Sequence, residues 1–437
     1  MKTADDSVSR EWLCLREDLR DIQNSKLKAL LAQLVPANRF WTTRFQQAGI
    51  DPTLVGSIND LASLPLITKQ EIVGDFNAHP PYGSNLTYPT TSYARFHQTS
   101  GTTGRPLVWM DTHASWSWFM DCWKLIYHAV EITCDDRFCF PFSFGPFIGF
   151  WAAFEGATQN GNLTIPAGGL STTARIRLIL DQQCTVICCT PTYALRMVEV
   201  AAQEGIDIRS SKVRAIIVAG EPGGNIPATR EKIESAWGAR VYDHWGMTEI
   251  GSLGIEPHGD PGNLYILETQ AIPEVIDPAT GQAVEPGQVG ELVITNLGRW
   301  GNPLIRYRTG DLVRPSTSPS PCGCSFLRLE GGVLGRVDDM VTIRGNNVYP
   351  SSIEAVLREF PEIVEYRMTV STQRSMKQML IEVELQPTFE NDVEVTFMKR
   401  LHATIKDRLN FQPDLKRVSV GDLPRFELKG RRLVRLD

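Results

Sequence analysis

Ala215-Ile216-Ile217-Val218-Ala219-Gly220-Glu221-Pro222-Gly223-Gly224 is the stretch from which the rest of the chain can be organised. Five apolar residues, three of them β-branched, read as a buried strand, and the glycines and proline that follow stop it. Upstream, Thr185-Val186-Ile187-Cys188-Cys189-Thr190 repeats the pattern, is ended by Pro191, and leads into a helix through Leu195 and Met197. Downstream, an amphipathic run from Ala228 to Trp237 returns to Arg240-Val241-Tyr242. Strand, helix, strand, helix, strand specifies an α/β layer with parallel pairing. Ligands of such sheets sit beyond the carboxyl ends of the strands. Gly220, Glu221 and Pro222 lie at one such end, and Tyr242-Asp243-His244-Trp245-Gly246-Met247-Thr248-Glu249 runs out of the next.

At 437 residues the chain exceeds what one core usually organises, so two domains are expected. An apolar fraction of 42% supports a large core, and a net charge of −6 offers no footprint for nucleic acid or an anionic membrane. Small molecules or proteins are therefore the expected partners. No apolar run approaches a bilayer span, and the polar start with Asp5, Asp6, Glu11 and Glu17 lacks a signal-peptide core, which predicts a cytoplasmic protein. Nine scattered cysteines, with Cys188 and Cys189 inside an apolar run, read as reduced core thiols.

Chemistry concentrates in a few places. His97-Gln98-Thr99-Ser100-Gly101-Thr102-Thr103-Gly104-Arg105 alternates hydroxyls and glycines before a cation, a composition that lets backbone N–H groups, hydroxyls and one charge converge on phosphate. Taken alone, it also fits a polar linker. It is not a Walker A loop, since no Gly-Lys-Ser/Thr follows. Thr248-Glu249 supplies a short donor and a hard oxygen ligand, and Thr309-Gly310-Asp311 a carboxylate. Gly335-Arg336-Val337-Asp338-Asp339 is a polar stretch suited to a hinge, and Leu423-Pro424-Arg425-Phe426-Glu427-Leu428-Lys429-Gly430 carries a lysine near the end.

In this order the motifs resemble those of the adenylate-forming superfamily, most closely its phenylacetate-CoA ligase branch. The resemblance implies a large N-terminal domain of α/β layers plus a β-rich part, residues 1–337, and a small mobile C-terminal α+β domain, residues 338–437, pivoting at Asp338. It implies ATP, Mg2+ and coenzyme A as cofactors and co-substrates. A carboxylic acid, aryl by the branch and by the aromatic segment containing Phe144 and Phe147, would become an acyl-adenylate and then a thioester. Thr99, Ser100, Gly101, Thr102, Thr103 and Gly104 would cradle phosphate. Gly220, Glu221, Pro222, Tyr242, Asp243, His244, Trp245, Gly246, Met247 and Arg336 would line the nucleotide, and Asp311 would accept the ribose hydroxyls. Thr248 would meet the α-phosphate, Glu249 would ligate magnesium, and Lys429 would be the catalytic lysine. Two alternatives stay open at this point: loading of an acyl carrier protein's phosphopantetheine thiol, and a nucleotide-binding protein without turnover.

Three departures from the family pattern matter. Arg105 stands where lysine is common, and Lys429 is framed by Phe-Glu-Leu-Lys-Gly rather than Thr-Glu-Gly-Lys-Ala. A structural zinc found in relatives would here have Cys322 and Cys324, but Pro257 and Tyr265 align with the other two ligands and His258 is a substitute third donor; an incomplete site with free thiols is the alternative. The remainder predicts a helix with Leu27, Leu30, Leu31 and Leu34 on one face. In the C-terminal part it predicts helices over 351–360 and 393–409, strands over 364–370 and 379–385, and a last strand near Val418-Ser419-Val420. For any oligomer a homodimer is the default expectation.

Overall fold

A computed structural model describes residues 6–99, 106–343, 346–373, 376–386, 391–427 and 429–436. The expected phosphate cradle Ser100, Gly101, Thr102, Thr103 and Gly104, with Arg105, lies outside the described residues. A hairpin of β1 (Tyr93–Gln98) and β2 (Val108–Thr112) flanks that loop, with Gln98 opposite Val108. Thr99 donates its N–H to Leu107 O at 2.9 Å and accepts the Leu107 N–H on Oγ1 at 3.1 Å, so the loop is pinched at its base.

The strands that follow are β3 (Arg137–Phe140), β4 (Leu163–Pro166), β5 (Val186–Cys189), β6 (Ala215–Ala219), β7 (Arg240–Met247), β8 (Gly251–Ile255) and β9 (Asn263–Ile266). Next come β10 (Ala271–Ile276), β11 (Gly290–Asn296), β12 (Tyr307–Val313), β13 (Arg328–Glu330) and β14 (Gly335–Arg336). Eight of them form one sheet in the order β13-β9-β8-β7-β6-β5-β3-β4, parallel from β4 through β7 and antiparallel beyond. β10-β11-β12-β14 is a separate antiparallel sheet, the β-rich part.

Both faces of β5 and β6 are covered, which explains their unbroken apolar sequences. Ile187, Cys189, Ile216, Val218 and Val241 face the helices Thr172–Asp181, Pro191–Gln203 and Pro227–Trp237. Val186, Cys188, Ala215, Ile217 and Tyr242 face a larger aromatic core built on the helix His113–Ala129. Helix starts are set locally: Ser171 and Thr190 cap with their hydroxyls, and Pro191 occupies a first-turn position whose missing N–H costs nothing. The leucine face expected near Leu27 belongs to the helix Arg16–Leu34, with Leu27, Leu30, Leu31 and Leu34 buried. Among the described residues no helix is long and apolar enough to cross a membrane.

After β14 come β15 (Val341–Ile343), β16 (Asn346–Val348), β17 (Ile363–Gln373), β18 (Met376–Leu385), β19 (Asp414–Val418) and β20 (Leu433–Leu436). The last four pair as β19-β18-β17-β20, and the helices Pro350–Arg358 and Asn391–Leu409 cover a core of their own. The strand expected near Val418-Ser419-Val420 ends at Val418 instead, and β20 was not foreseen. β20 is a short edge strand, and its pairing of Leu433 with Met368 comes from tertiary contact rather than local pattern.

Candidate active site

Beyond the end of β6 the chain turns at Gly220 with φ +95°, a left-handed conformation that favours glycine. A Cβ there would come within 3.0 Å of Lys429 Cε, so the lysine stem lies directly over this turn. At Gly224 a Cβ would meet Asp243 Oδ1 at 2.3 Å, and at Gly223 it would meet Pro191 Cβ at 2.5 Å. The glycines of this loop thus mark close approach to the neighbouring strand and helix. Glu221 turns back into the protein: one carboxylate oxygen accepts the Thr192 N–H at 2.9 Å and the other the Gly430 N–H at 2.5 Å. The protein packed around Glu221 raises its pKa, with those hydrogen bonds opposing.

Lys429 keeps an accessible face while protein crowds its other sides, and that partial desolvation lowers its pKa. Glu221 and Glu249 oppose the shift, and Arg336 and Lys69 add to it. A lysine from the chain's end therefore shares one electrostatic neighbourhood with the β6 turn, the β7 exit and the β14 arginine.

β7 delivers Trp245, Thr248 and Glu249. Glu249 is buried, and its carboxylate lies 3.4 Å from Lys69 Nζ, which projects from the first turn of the helix Lys69–Ala78. Behind it stands a pair that sequence reasoning missed. Arg299, fully buried, donates to Thr248 O at 2.5 Å and Glu249 O at 2.9 Å, while its other nitrogens bind both Asp111 oxygens at 2.7 Å. Trp109 and Phe119 rings flank the guanidinium at 5.3 and 5.1 Å. Burial alone would raise the Asp111 pKa, yet Arg299 holds it below the ordinary carboxylate value. Because Asp111 sits on β2, the pair ties the β1–β2 hairpin to the Thr248-Glu249 turn. Burial pushes His244 down to about 4, so its ring is neutral and its Nδ1–H donates to Gly254 O at 2.6 Å.

Asp311, on β12, accepts from Trp245 Nε1 at 2.8 Å and from Arg336 Nη1 at 2.9 Å. Burial pushes its pKa up to about 6 against the opposing Arg336 charge. The same guanidinium reaches Asp338 at 2.9 and 3.1 Å. Asp243 is pushed up to about 7 by burial and by Glu256 beside it.

Other expected residues go elsewhere. Tyr242 points to the opposite face of β7, and its hydroxyl meets His258 Nδ1 at 2.7 Å, so its side chain does not join the group around Lys429. His258 is further held by Arg240 at 3.3 Å, while Cys322 lies beside Gly259 with its sulfur 3.1 Å from Ser320 Oγ. Ser320 and Asp260 in turn engage the Tyr265 hydroxyl. Among the described residues no three His, Cys, Asp or Glu side chains group to hold a metal, which corrects the zinc expectation for His258, Cys322 and Cys324. The nine cysteines are free thiols. Phe144 is half-buried and packs among Phe140, Phe142, Trp151 and Phe154 with centroids 4.4–6.3 Å away. Phe147 folds between Gly145 and Gly149, where added Cβ atoms would touch its ring at 2.7 and 2.9 Å.

The AMP-binding enzyme family matches residues 77–298, and the AMP-binding enzyme C-terminal domain matches residues 345–436. The phenylacetate-coenzyme A ligase of Thermus thermophilus is 30% identical over 430 residues, covering 94% of this chain and 95% of its own. That of Escherichia coli K12 is 29% identical over 430 residues, covering 95% and 94%. Among solved structures, 2-hydroxyisobutyryl-CoA ligase in the postadenylation state with R3-HIB-AMP superposes with a TM-score of 0.93 at 26% identity, over 100% of this chain and 94% of that one. The same ligase in the thioesterification state, with 2-HIB-AMP and CoA, gives 0.74 at 27% identity over 99% and 93%. The chain belongs to the AMP-binding enzyme family, in the branch of the phenylacetate-coenzyme A ligases.

Proposed function

We propose that the chain is an AMP-forming ligase that activates a carboxylic acid, an arylacetic acid by its relatives, and transfers the acyl group to coenzyme A. The observation that carries this is Lys429 lying over Gly220 between Glu221 and Glu249, in an overall arrangement nearer to a postadenylation complex than to a thioesterification one. In the first half-reaction an acid oxygen attacks the α-phosphorus of ATP and pyrophosphate leaves with the electron pair of the broken P–O bond. Lys429 offsets the negative charge that spreads over acid and phosphate, and the Thr248 hydroxyl donates to the α-phosphoryl. Glu249 is a buried oxygen donor of the kind magnesium takes, and the ion when bound would neutralise polyphosphate charge. In the second half-reaction a thiol attacks the acyl carbon and AMP leaves, after residues 338–437 turn about Asp338.

Pyrophosphate release from ATP across a panel of arylacetic, aryl and aliphatic acids, with and without coenzyme A, tests the proposal. Acid-dependent release accelerated by coenzyme A is expected. Release indifferent to coenzyme A would point to a carrier-protein thiol, and tight AMP binding without release would point to a protein that has lost turnover.

Asp311 gives a pH prediction. Its pKa is raised by burial to about 6 in the ligand-free protein, so it gains a proton as pH falls through that value. A protonated carboxyl is a poorer acceptor for ribose hydroxyls, so KM for ATP is expected to climb below pH ~6. Asp311→Asn should raise KM about ten- to a hundredfold and flatten that pH step. A variant that retains the step would remove Asp311 from this role.

A further inference from the structure

We propose that Glu221 is the latch that holds the lysine-bearing segment against the large domain while the acid is activated. This rests on the ligase function proposed above. The segment 423–432 is fastened at both ends to the C-terminal domain, through Arg425 to buried Glu384 and through Arg432 to buried Glu365 at 2.6 and 3.0 Å. Lys429 therefore travels with that domain. Among the described residues, four of its residues dock it on the large domain. Three involve side chains at its margins: Glu427 with Thr172 and Arg175 at 3.4 and 3.5 Å, Arg425 with Glu199 at 3.5 Å, and Arg432 with Thr192 Oγ1 at 3.0 Å.

The fourth contact is of a different kind. Glu221 takes the backbone N–H of Gly430, the residue next to Lys429, at 2.5 Å. Its second oxygen is already committed to the Thr192 N–H in the first turn of the helix Pro191–Gln203. One carboxylate thus joins the β6 turn, a helix N-terminus and the lysine backbone. With one oxygen on the Gly430 N–H, Glu221 acts as a positioning residue for Lys429. At Gly430 a Cβ would meet the Arg432 guanidinium and the Thr192 hydroxyl, so the absence of a side chain leaves room for the Arg432 head beside the latch. When the C-terminal domain turns away, Glu221 loses its second donor while staying crowded by protein, so the latch biases the domain toward the activating arrangement.

Glu221→Gln tests it, because an amide offers one acceptor oxygen to two N–H donors. At saturating ATP and acid, pyrophosphate release should fall roughly ten- to a hundredfold, the loss expected of one charged hydrogen bond. KM for ATP should change less than about threefold, since the bond orients the lysine and not the nucleotide. Thioester formation from supplied acyl-adenylate should keep most of its rate. In a Lys429→Ala background, Glu221→Gln should cost nothing more, because a latch without its lysine has nothing to position. Additive losses, or equal losses in both half-reactions, would overturn the latch. Hydrogen exchange at the Gly430 amide decides the matter independently of activity. Protection in the native chain, lost in Glu221→Gln, is expected; an unprotected native amide overturns the proposal. A native chain that exchanges Gly430 slowly but releases no pyrophosphate with any acid would instead sink the ligase function and leave the latch standing.

Discussion

Lys429→Ala is expected to cut acid-dependent pyrophosphate release by about a hundred- to a thousandfold, the range for loss of one preorganised charge at a developing anion. The magnitude follows from where the ammonium sits. It shares its neighbourhood with Glu221 and Glu249, which hold positive charge there in the absence of substrate, and crowding protein strips away part of its water. Alanine leaves the stem's place over Gly220 empty and supplies no charge. The loss should appear in kcat with KM for ATP little changed, because the proposed nucleotide contacts at Asp311 and the β7 turn are left in place. Thioester formation from supplied acyl-adenylate should be nearly unaffected. A variant with native pyrophosphate release would remove Lys429 from the chemistry.

The largest stability effect is expected at Asp111. Asp111→Asn leaves the fully buried Arg299 guanidinium beside a neutral amide, and breaking such a pair costs about 3–5 kcal/mol. Denaturant unfolding of the native and variant chains measures it directly, and a loss below about 1 kcal/mol would show that the guanidinium finds another partner. Arg299→Lys should be nearly as damaging. A lysine ammonium has three donors on one atom and cannot serve two carboxylate oxygens and two carbonyls from a planar fork. Both variants should also lose activity beyond their stability loss, since the Thr248 and Glu249 carbonyls are held from behind by this one side chain.

What could be read beforehand follows local pattern. β5 and β6 were visible because strands buried on both faces are uninterrupted apolar runs, and the helices around them because their caps and prolines are local signals. The C-terminal helices and strands were legible for similar reasons, to within a few residues at their ends. The Asp111–Arg299 pair was not legible. Its partners stand 188 positions apart, and neither lies in a motif. Lys69 escaped for the same reason, since a lysine opening a helix is ordinary until the fold sets Glu249 against it. Aromatic richness could not decide the role of Phe144, because a run of Phe and Trp has one composition whether it lines an opening or fills a core. Cys322-Gly323-Cys324 misled because a two-cysteine turn says nothing about where further donors fall.

The burial of β5 carries a chemical consequence. An acyl-adenylate is a potent electrophile toward thiolates, and this chain carries nine thiols of its own. Cys189 ends the strand one residue before the Thr190 cap, and Glu221 lies close enough to act on it electrostatically. Burial drives the Cys189 thiol far above its usual pKa, and the Glu221 charge pushes the same way. Cys188 is raised by burial as well. Held as protonated, inaccessible thiols, they cannot compete with an incoming acceptor.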